Sequence, residues 1–211
     1  ELWNLPRWLI KELARLPIDI HLNTEVDEEL INALNPESII IATGAVEKKY
    51  DFKVGGKTRV TYLWDYLKGG VELGKRVVVV GSETVEAAAS LCNEGKTVTL
   101  IQAQADYTWP EYIPGGSARR EPLTRMLKKA DVKFNARLTE VTDSGVKIVH
   151  GGKEEFIECD DVIIAEGRDK VDDLFWKFVG KNRELHVVGD AREPKTLLSA
   201  SHEGYWAGRT I

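Results

Sequence analysis

The chain has 211 residues, of which 43% are hydrophobic and 30% are charged, as is usual for a soluble globular protein. Its net charge of −5 argues against a nucleic-acid or membrane-surface partner, because both require clustered lysine and arginine. The sequence contains neither an apolar run of 18 residues nor a recognisable secretory leader, so we expect no membrane partner and a cytoplasmic location.

The N-terminal region is predicted to form two helices separated by a short strand. The sequence opens inside an amphipathic helix pattern that places Trp8 and Leu13 on one face, so we expect the chain to be a piece of a longer protein. Residues 18–22 alternate between apolar and polar side chains, which predicts a short strand. Residues 26–34 are predicted to form a helix that ends before Pro36.

A buried strand is predicted at residues 38–42, and small residues follow it. The turn Ala42-Thr43-Gly44 has little side-chain bulk, so a flat ring or a phosphate could approach its backbone. The alternative interpretation is an ordinary strand end followed by a turn. The sequence alone leaves both interpretations open.

The segment 75–102 has the pattern of a βαβ unit. The β-branched run at 76–80 is typical of a parallel strand that is covered on both faces. An alanine-rich helix at 84–93 follows, Gly95 ends it, and a second strand is predicted at 97–101. In a dinucleotide-binding fold, the turn after the first strand receives a pyrophosphate on the N-terminus of the helix.

The glycine fingerprint of that turn is incomplete. The G-x-G-x-x-G frame reads Gly81, Ser82, Glu83, Thr84, Val85 and Glu86. Glu83 would lie where the phosphate charge belongs, and the acidic ribose-binding residue at the end of the second strand is replaced by Gln102, which can still hydrogen-bond a hydroxyl. The fold signal is therefore strong, and the turn can be interpreted either as a nicotinamide-nucleotide site or as one that has lost its ligand.

The C-terminal half is predicted to contain short strands, hairpins and a final helix. An apolar strand at 161–165 runs into Glu166-Gly167-Arg168, and a second buried strand at 185–188 runs into Gly189-Asp190 before a helix at 196–211. The carboxylate of Asp190 is placed either to accept a hydrogen bond from a ligand hydroxyl or simply to cap the turn.

No residue is nominated as catalytic and no metal site is predicted. The two cysteines, Cys92 and Cys159, are far apart in the sequence and are interpreted as small buried hydrophobes. The four histidines show no spacing typical of a catalytic triad or of metal ligands.

Four motifs in this order resemble a flavoprotein family. They are the IIIATGA segment within 38–45, the βαβ unit, DVIIAEGR at 161–168, and LHVVGDA at 185–191 with a helix carrying EGYWAGRTI. Their order resembles the two-dinucleotide-domain flavoproteins, and in particular the C-terminal half of NADH:flavin oxidoreductases of the 2,4-dienoyl-CoA reductase and trimethylamine dehydrogenase type.

The resemblance implies an α/β fold in which a Rossmann-like NAD(P)-binding domain is inserted into a truncated FAD-binding-type domain. Residues 1–46 and 155–211 would form the FAD-type segments, and residues 47–154 would form the insert. The full-length parent would bind FAD and NAD(P)H and pass hydride or electrons between them.

The resemblance also implies site residues. Thr43 and Gly44 would lie near the flavin nucleotide, Gly189 and Asp190 would bind its ribityl and pyrophosphate region, and the helix carrying Glu203 would pack beside the isoalloxazine. The complete set that we expect to contact a cofactor is Ala42, Thr43, Gly44, Gly81, Ser82, Thr84, Val85, Gln102, Gly167, Gly189 and Asp190.

Part of the family pattern is absent from this sequence. The first G-x-G-x-x-G of the family, which holds the adenosine half of FAD, would belong to a missing N-terminal part of the parent chain, which is also the expected partner. We therefore expect little or no activity from this chain by itself. Whether the chain alone binds FAD, NAD(P)H or neither of them is left open by the sequence. Two alternatives are a degenerate nucleotide-binding or structural module, and an electron-transfer module that docks through the aromatic loop at 107–113.

Overall fold

The computed structural model describes residues 3–106, 117–181 and 183–211, and it confirms an α/β fold with parallel sheets. The loop at 107–113 lies outside these residues. The helices are α1 (Asn4–Leu13), α2 (Glu28–Leu34), α3 (Leu63–Leu67), α4 (Val85–Asn93), α5 (Ser117–Leu127), α6 (Asp173–Phe178) and α7 (Leu197–Thr210). The strands are β1 (Ser38–Ile41), β2 (Ala45–Glu47), β3 (Lys53–Val54), β4 (Arg59–Tyr62), β5 (Arg76–Val80), β6 (Thr97–Ile101), β7 (Asp131–Lys133), β8 (Ala136–Val141), β9 (Gly145–His150), β10 (Lys153–Glu158), β11 (Asp161–Ile164), β12 (Arg168–Lys170) and β13 (Glu184–Val187).

The largest sheet is parallel and has the strand order β4-β11-β5-β6-β7. Its central strand β5 carries the valine run predicted to be covered on both faces, and Val77 to Val80 are each at most 1% exposed. On one face, Val77 and Val79 pack with Ala88 and Leu91 of α4. The βαβ unit is therefore confirmed, and it forms the centre of the main core.

The other face of this sheet is covered by a second sheet. Strands β10, β9 and β8 form an antiparallel sheet, to which β3 adds a parallel edge. Val78 and Val80 of β5 pack against Val146 and Ile148 of β9 in one buried cluster. Since both faces of β5 are covered, the continuous apolar run is explained by packing.

A smaller sheet is formed by β1 and β13, which pair in parallel with Ile39 opposite Leu185. Strands β2 and β12 form an antiparallel pair. In the sequence, β2 follows β1 of the two-stranded sheet, and β12 follows β11 of the five-stranded sheet, so this pair links a two-stranded region (β1, β13 and α7) to a five-stranded region (the five-stranded sheet and α4). Helix α1 contributes no buried residue, and Trp8 is 56% exposed. The apolar face predicted for this helix therefore exists but is uncovered within the described residues.

Two expectations from the sequence need revision. Residues 18–22 form no strand, since none of the described strands pairs with them and a strand requires hydrogen bonds from a neighbouring strand. Strand β11 hydrogen-bonds with β4 and β5, although the predicted boundary at 154/155 separates it from them. The division into 1–46, 47–154 and 155–211 stays a prediction, and this pairing favours a second boundary closer to Gly167.

In the part of the chain that the structure describes, no helix is long and apolar enough to cross a bilayer.

Candidate functional site

The carboxyl ends of the two parallel sheets carry most of the predicted site residues. Strand β5 ends at Val80 and its neighbour β11 ends at Ile164, while β1 ends at Ile41 and its neighbour β13 ends at Val187. In open α/β sheets, ligands bind outside these ends. We therefore consider the Gly81 turn (residues 81–84) and the Asp190 turn (residues 189–195) together as the candidate site.

The Gly81 turn requires glycine for a reason within the protein. Its φ of +112° is a conformation that side chains rarely adopt, and a Cβ at Gly81 would overlap the carbonyl oxygen of Ala165. The Gly81 amide donates to the carbonyl oxygen of Ile101 (3.1 Å). The first glycine of the fingerprint is therefore explained by the close approach of β11.

The hydroxyl of Thr84 is directed into this turn and does not cap helix α4. Thr84 is fully buried and its Oγ1 donates to the carbonyl oxygen of Gly81 (2.7 Å), so the first turn of α4 has no side-chain cap from its N-cap residue. Val85 is also buried, and Ser82 is half-buried. The uncapped first turn fits an anionic group, since its N–H groups carry partial positive charge.

Gln102 lies beneath the turn and is not exposed to solvent. Its Nε2 donates to the carbonyl oxygen of Gly81 (2.6 Å), whereas its buried Oε1 has no hydrogen-bond partner. In this conformation the side chain supports the Gly81 turn. Its predicted role in holding a ribose hydroxyl stays a prediction that requires the amide to reorient.

The strands β1 and β11 both end in an A-x-G turn with a left-handed glycine. Gly44 has a φ of +77° and Gly167 has a φ of +111°, and a Cβ at either position would meet open space. The hydroxyl of Thr43 donates to the carbonyl oxygen of Val171, while Ala42 is exposed. These turns leave room for a ligand to approach the backbone.

The Asp190 turn is held by hydrogen bonds from its own neighbours. The Gly189 amide, in a turn of 3-10 helix (Gly189–Ala191), donates to Oε2 of Glu203 in α7 (2.8 Å). The Lys195 amide donates to Oδ1 of Asp190 (3.1 Å). The Asp190 carboxylate is therefore oriented by protein donors, and it retains lone pairs for a ligand hydroxyl.

Arg168, the first residue of β12, joins the two turns. Its Nε donates to Oε1 of Glu83 (3.0 Å), its Nη1 donates to Oδ2 of Asp190, and its Nη2 donates to the carbonyl oxygen of Lys195 (2.9 Å). The charge of Glu83, which the sequence suggested would repel a phosphate, is therefore balanced by a guanidinium. The repulsion expected from the sequence is correspondingly weaker.

A second carboxyl group lies close to the end of β11. Burial raises the pKa of Glu166, and the positive charges of Arg137 and Lys48 oppose this effect. Burial also raises the pKa of the nearby Tyr50 hydroxyl, and the charge of Glu166 raises it further. Glu166 is thus more readily protonated than an exposed glutamate.

A cavity of about 430 Å³ lies between β13 and α7. It adjoins the Asp190 turn through Glu203 and Arg192. Its lining also includes His186, His202 and Trp206. Among the residues described, no group of three or more histidine, cysteine or acidic side chains is placed to hold a metal ion.

Sequence reasoning did not identify Arg168 or Glu203 as functional side chains that join or support the turns. The signal for Arg168 was its place directly after the A-x-G turn of β11, where a charged side chain reaches the strand ends. Its partner Glu83 lies 85 residues away, and only the sheet order brings the two together.

The comparisons with known proteins identify the family of the chain. A family model described as pyridine nucleotide-disulphide oxidoreductase matches residues 19–191. The chain therefore belongs to this family, whose members are FAD- and NAD(P)H-dependent oxidoreductases. The relatives are flavoprotein oxidoreductases of the 2,4-dienoyl-CoA reductase type, which confirms the resemblance seen in the sequence.

Individual relatives cover nearly all of this chain. An NADH oxidase of Thermoanaerobacter brockii is 30% identical over 213 residues, covering 94% of this chain, and a cinnamate reductase of Clostridium sporogenes is 26% identical, covering 98%. A solved 2-naphthoyl-CoA reductase complex superposes with a TM-score of 0.80 at 30% identity over 97% of this chain. In all three comparisons, this chain spans 31% of the other protein's length.

A more distant structure shows the fold alone. The thioredoxin reductase of Lactococcus lactis superposes with a TM-score of 0.61 at 18% identity, covering 82% of this chain and 64% of that chain.

Proposed function

We propose that this chain forms the part of a longer flavin-dependent oxidoreductase in which a hydride passes between NAD(P)H and FAD. The observation that supports it best is the meeting of the Gly81 turn and the Asp190 turn at Arg168. These turns end strands of two different parallel sheets, so two cofactors bound there would lie at adjoining edges. The cofactors carry the hydride chemistry, and the protein holds and orients them.

The nicotinamide nucleotide would bind at the first turn of α4. Its phosphates would lie against the uncapped N-terminal turn, near Gly81, Ser82 and Val85, while Thr84 and Gln102 would support the turn from within. We propose that the charge of Glu83 is tolerated because Arg168 pairs with it. The residues fit a diphosphate less well than three glycines would, since two glutamates occupy glycine positions.

The flavin nucleotide would bind at the ends of β1 and β13. The open space at Gly44 admits a ring or a phosphate, and the Asp190 carboxylate can accept a hydrogen bond from a ribityl hydroxyl. Gly167 offers similar open space beside Arg168. The residues described here fit this half of the site.

We propose that the remaining part of the parent chain covers the sheet formed by β1 and β13. Within the described residues these strands pair only with each other, and α7, which follows β13, exposes large apolar side chains. Such a surface is typical of an interface. The exposed large apolar side chains of α7 are Leu197, Leu198, Tyr205 and Trp206.

Calorimetric titration of the chain with ADP, NADH, NADPH and FAD tests the nucleotide sites. We expect weak NADH binding by the wild type and about tenfold tighter binding by Glu83→Gly, a gain of about 1.4 kcal/mol, because a like charge leaves the phosphate position and Arg168 becomes available to it. Glu94→Gly, at the opposite end of α4, is the matched control and should leave affinity unchanged. Equal affinities of Glu83→Gly and wild type would show that the carboxylate is no obstacle.

A second candidate is a module that no longer binds a nucleotide. It is favoured by Glu83, by Glu86 and by the burial of Gln102, which together depart from the ligand-binding fingerprint. This candidate predicts no heat of binding from any of the four nucleotides, in both the wild type and Glu83→Gly. Binding of either NADH or FAD by the wild type would exclude it.

A further inference from the structure

We infer that Arg168 is a positioning residue that couples the Gly81 turn to the Asp190 turn, so that a change in one turn alters the stability of the other. The inference goes beyond nucleotide binding, because it follows from the protein's own contacts and holds or fails without a ligand.

The guanidinium of Arg168 is suited to this role by its shape and its environment. Its planar fork can direct donors to Glu83, Asp190 and the Lys195 carbonyl at once, whereas a lysine would present a single point charge. The side chain is 20% exposed, so these ion pairs are less screened by solvent than pairs on the open surface. Without the guanidinium, two carboxylates would face the same space.

The partners of Arg168 belong to different sheets. Glu83 follows β5 of the five-stranded sheet, whereas Asp190 and Lys195 follow β13 of the two-stranded sheet. Arg168 itself lies in β12, which pairs with β2 between these regions. A single side chain thus makes contacts on both sides of the link between the regions.

Each turn also has hydrogen bonds of its own. Thr84 and Gln102 bond the carbonyl oxygen of Gly81, and Glu203 accepts the Gly189 amide, independently of Arg168. These bonds maintain the conformation of each turn, so the main role of Arg168 is to connect the two turns. Such a connection fixes the distance between two groups that must act together.

Hydrogen exchange of the complete 211-residue chain without ligand tests the coupling. In Glu83→Ala we expect amides of residues 189–195 to exchange about fivefold faster, although Glu83 belongs to the other turn. In Asp190→Asn, which keeps an acceptor for the Lys195 amide, we expect a similar increase at residues 81–84. Couplings between residues of one ion-pair network are commonly of this size.

Variants of Arg168 show whether the coupling passes through this residue. Arg168→Ala should accelerate exchange in both turns. The double variant Arg168→Ala/Glu83→Ala should then exchange at residues 189–195 at the same rate as Arg168→Ala alone. Arg168→Lys should give an intermediate effect, and it replaces Arg168→Ala if that variant does not fold. Exchange within β5 reports global stability, so acceleration at the turns that exceeds any change within β5 identifies a local effect.

The matched control is Arg76→Ala. Arg76 also bridges two carboxylates, Glu158 at the end of β10 and Asp160 just before β11, but neither belongs to the sheet formed by β1 and β13. It should leave exchange at 189–195 unchanged. Acceleration confined to 81–84 in Glu83→Ala, or an effect of Arg76→Ala on 189–195 as large as that of Arg168→Ala, would overturn the inference.

Discussion

Strands β11 and β1 end in similar turns but have different surroundings. Strand β11 is flanked by β4 and β5, and all four of its residues are buried. Strand β1 pairs with β13 and with no other strand in the described part of the chain, and only Ile41 of β1 is buried. The A-x-G turn therefore forms in both settings, whereas burial depends on the neighbours of the strand.

The difference extends to the helices. Helix α4 packs on the five-stranded sheet and buries six residues, including Ala88 and Leu91, which are fully buried. Helix α7 follows β13 and buries only Ala207, while Trp206 is 62% exposed. The five-stranded sheet and α4 enclose a buried apolar core, whereas the two-stranded sheet and α7 expose apolar surface.

The largest effect on stability is expected from Gly81→Ala, in the turn that follows β5 of the five-stranded sheet. We expect it to destabilise the chain by about 4 kcal/mol or more, because alanine rarely adopts the φ of Gly81 and its Cβ would overlap the Ala165 carbonyl oxygen. Urea unfolding followed by circular dichroism measures the change.

The matched control for this variant is Gly167→Ala. Gly167 has nearly the same φ, but its Cβ would meet open space, so we expect a cost of about 1–2 kcal/mol from backbone strain alone. Equal costs at the two positions would mean that the approach of β11 does not constrain the Gly81 turn.

A smaller effect is expected from shortening a buried side chain. Leu100 is fully buried in β6, so Leu100→Ala should lower the free energy of unfolding by about 3 kcal/mol. Leu197→Ala removes the same atoms from a side chain that is 67% exposed at the start of α7, and it should cost less than about 0.5 kcal/mol. Similar losses from both variants in urea unfolding would contradict the proposed difference in burial.

Sequence patterns predicted the parts of the fold that depend on local burial. The valine run of β5, the alanine-rich α4 and the turn at Gly81 all follow from residue types that suit one environment. The prediction was wrong at 18–22, where alternation is also compatible with an irregular exposed segment when no partner strand is adjacent. A strand requires hydrogen bonds that its own sequence cannot provide.

The candidate site was harder to predict, because its side chains meet across long distances in the sequence. Fingerprint spacing located Gly81, and the position directly after a buried strand located Asp190, but neither gave information on the charge that faces Glu83. Arg168 reaches both turns only because β11 inserts between β4 and β5. Likewise, the spacing that nominated Gln102 does not specify whether its side chain faces a ligand or the core.

The smallest predicted effect concerns the ion pair between Arg76, the first residue of β5, and Asp160, which precedes β11. Hydrogen bonds from the Arg76 side chain and backbone lower the pKa of Asp160 from 3.8 to about 2. Since the folded chain protonates Asp160 less readily than the unfolded chain, this stabilisation is fully present above about pH 4 and is lost between about pH 4 and pH 2.

Asp160→Asn isolates this contribution. We expect its urea midpoint to lie below that of the wild type at pH 6 and the difference to shrink at pH 3, because at pH 3 the unfolded wild-type chain binds a proton at Asp160 that the folded chain does not. Asp169→Asn changes one exposed carboxylate in β12 and serves as the control for net charge. A difference that stays constant between pH 6 and pH 3 would show that the charge of Asp160 adds nothing, and that burial around β5 accounts for the stability of this region.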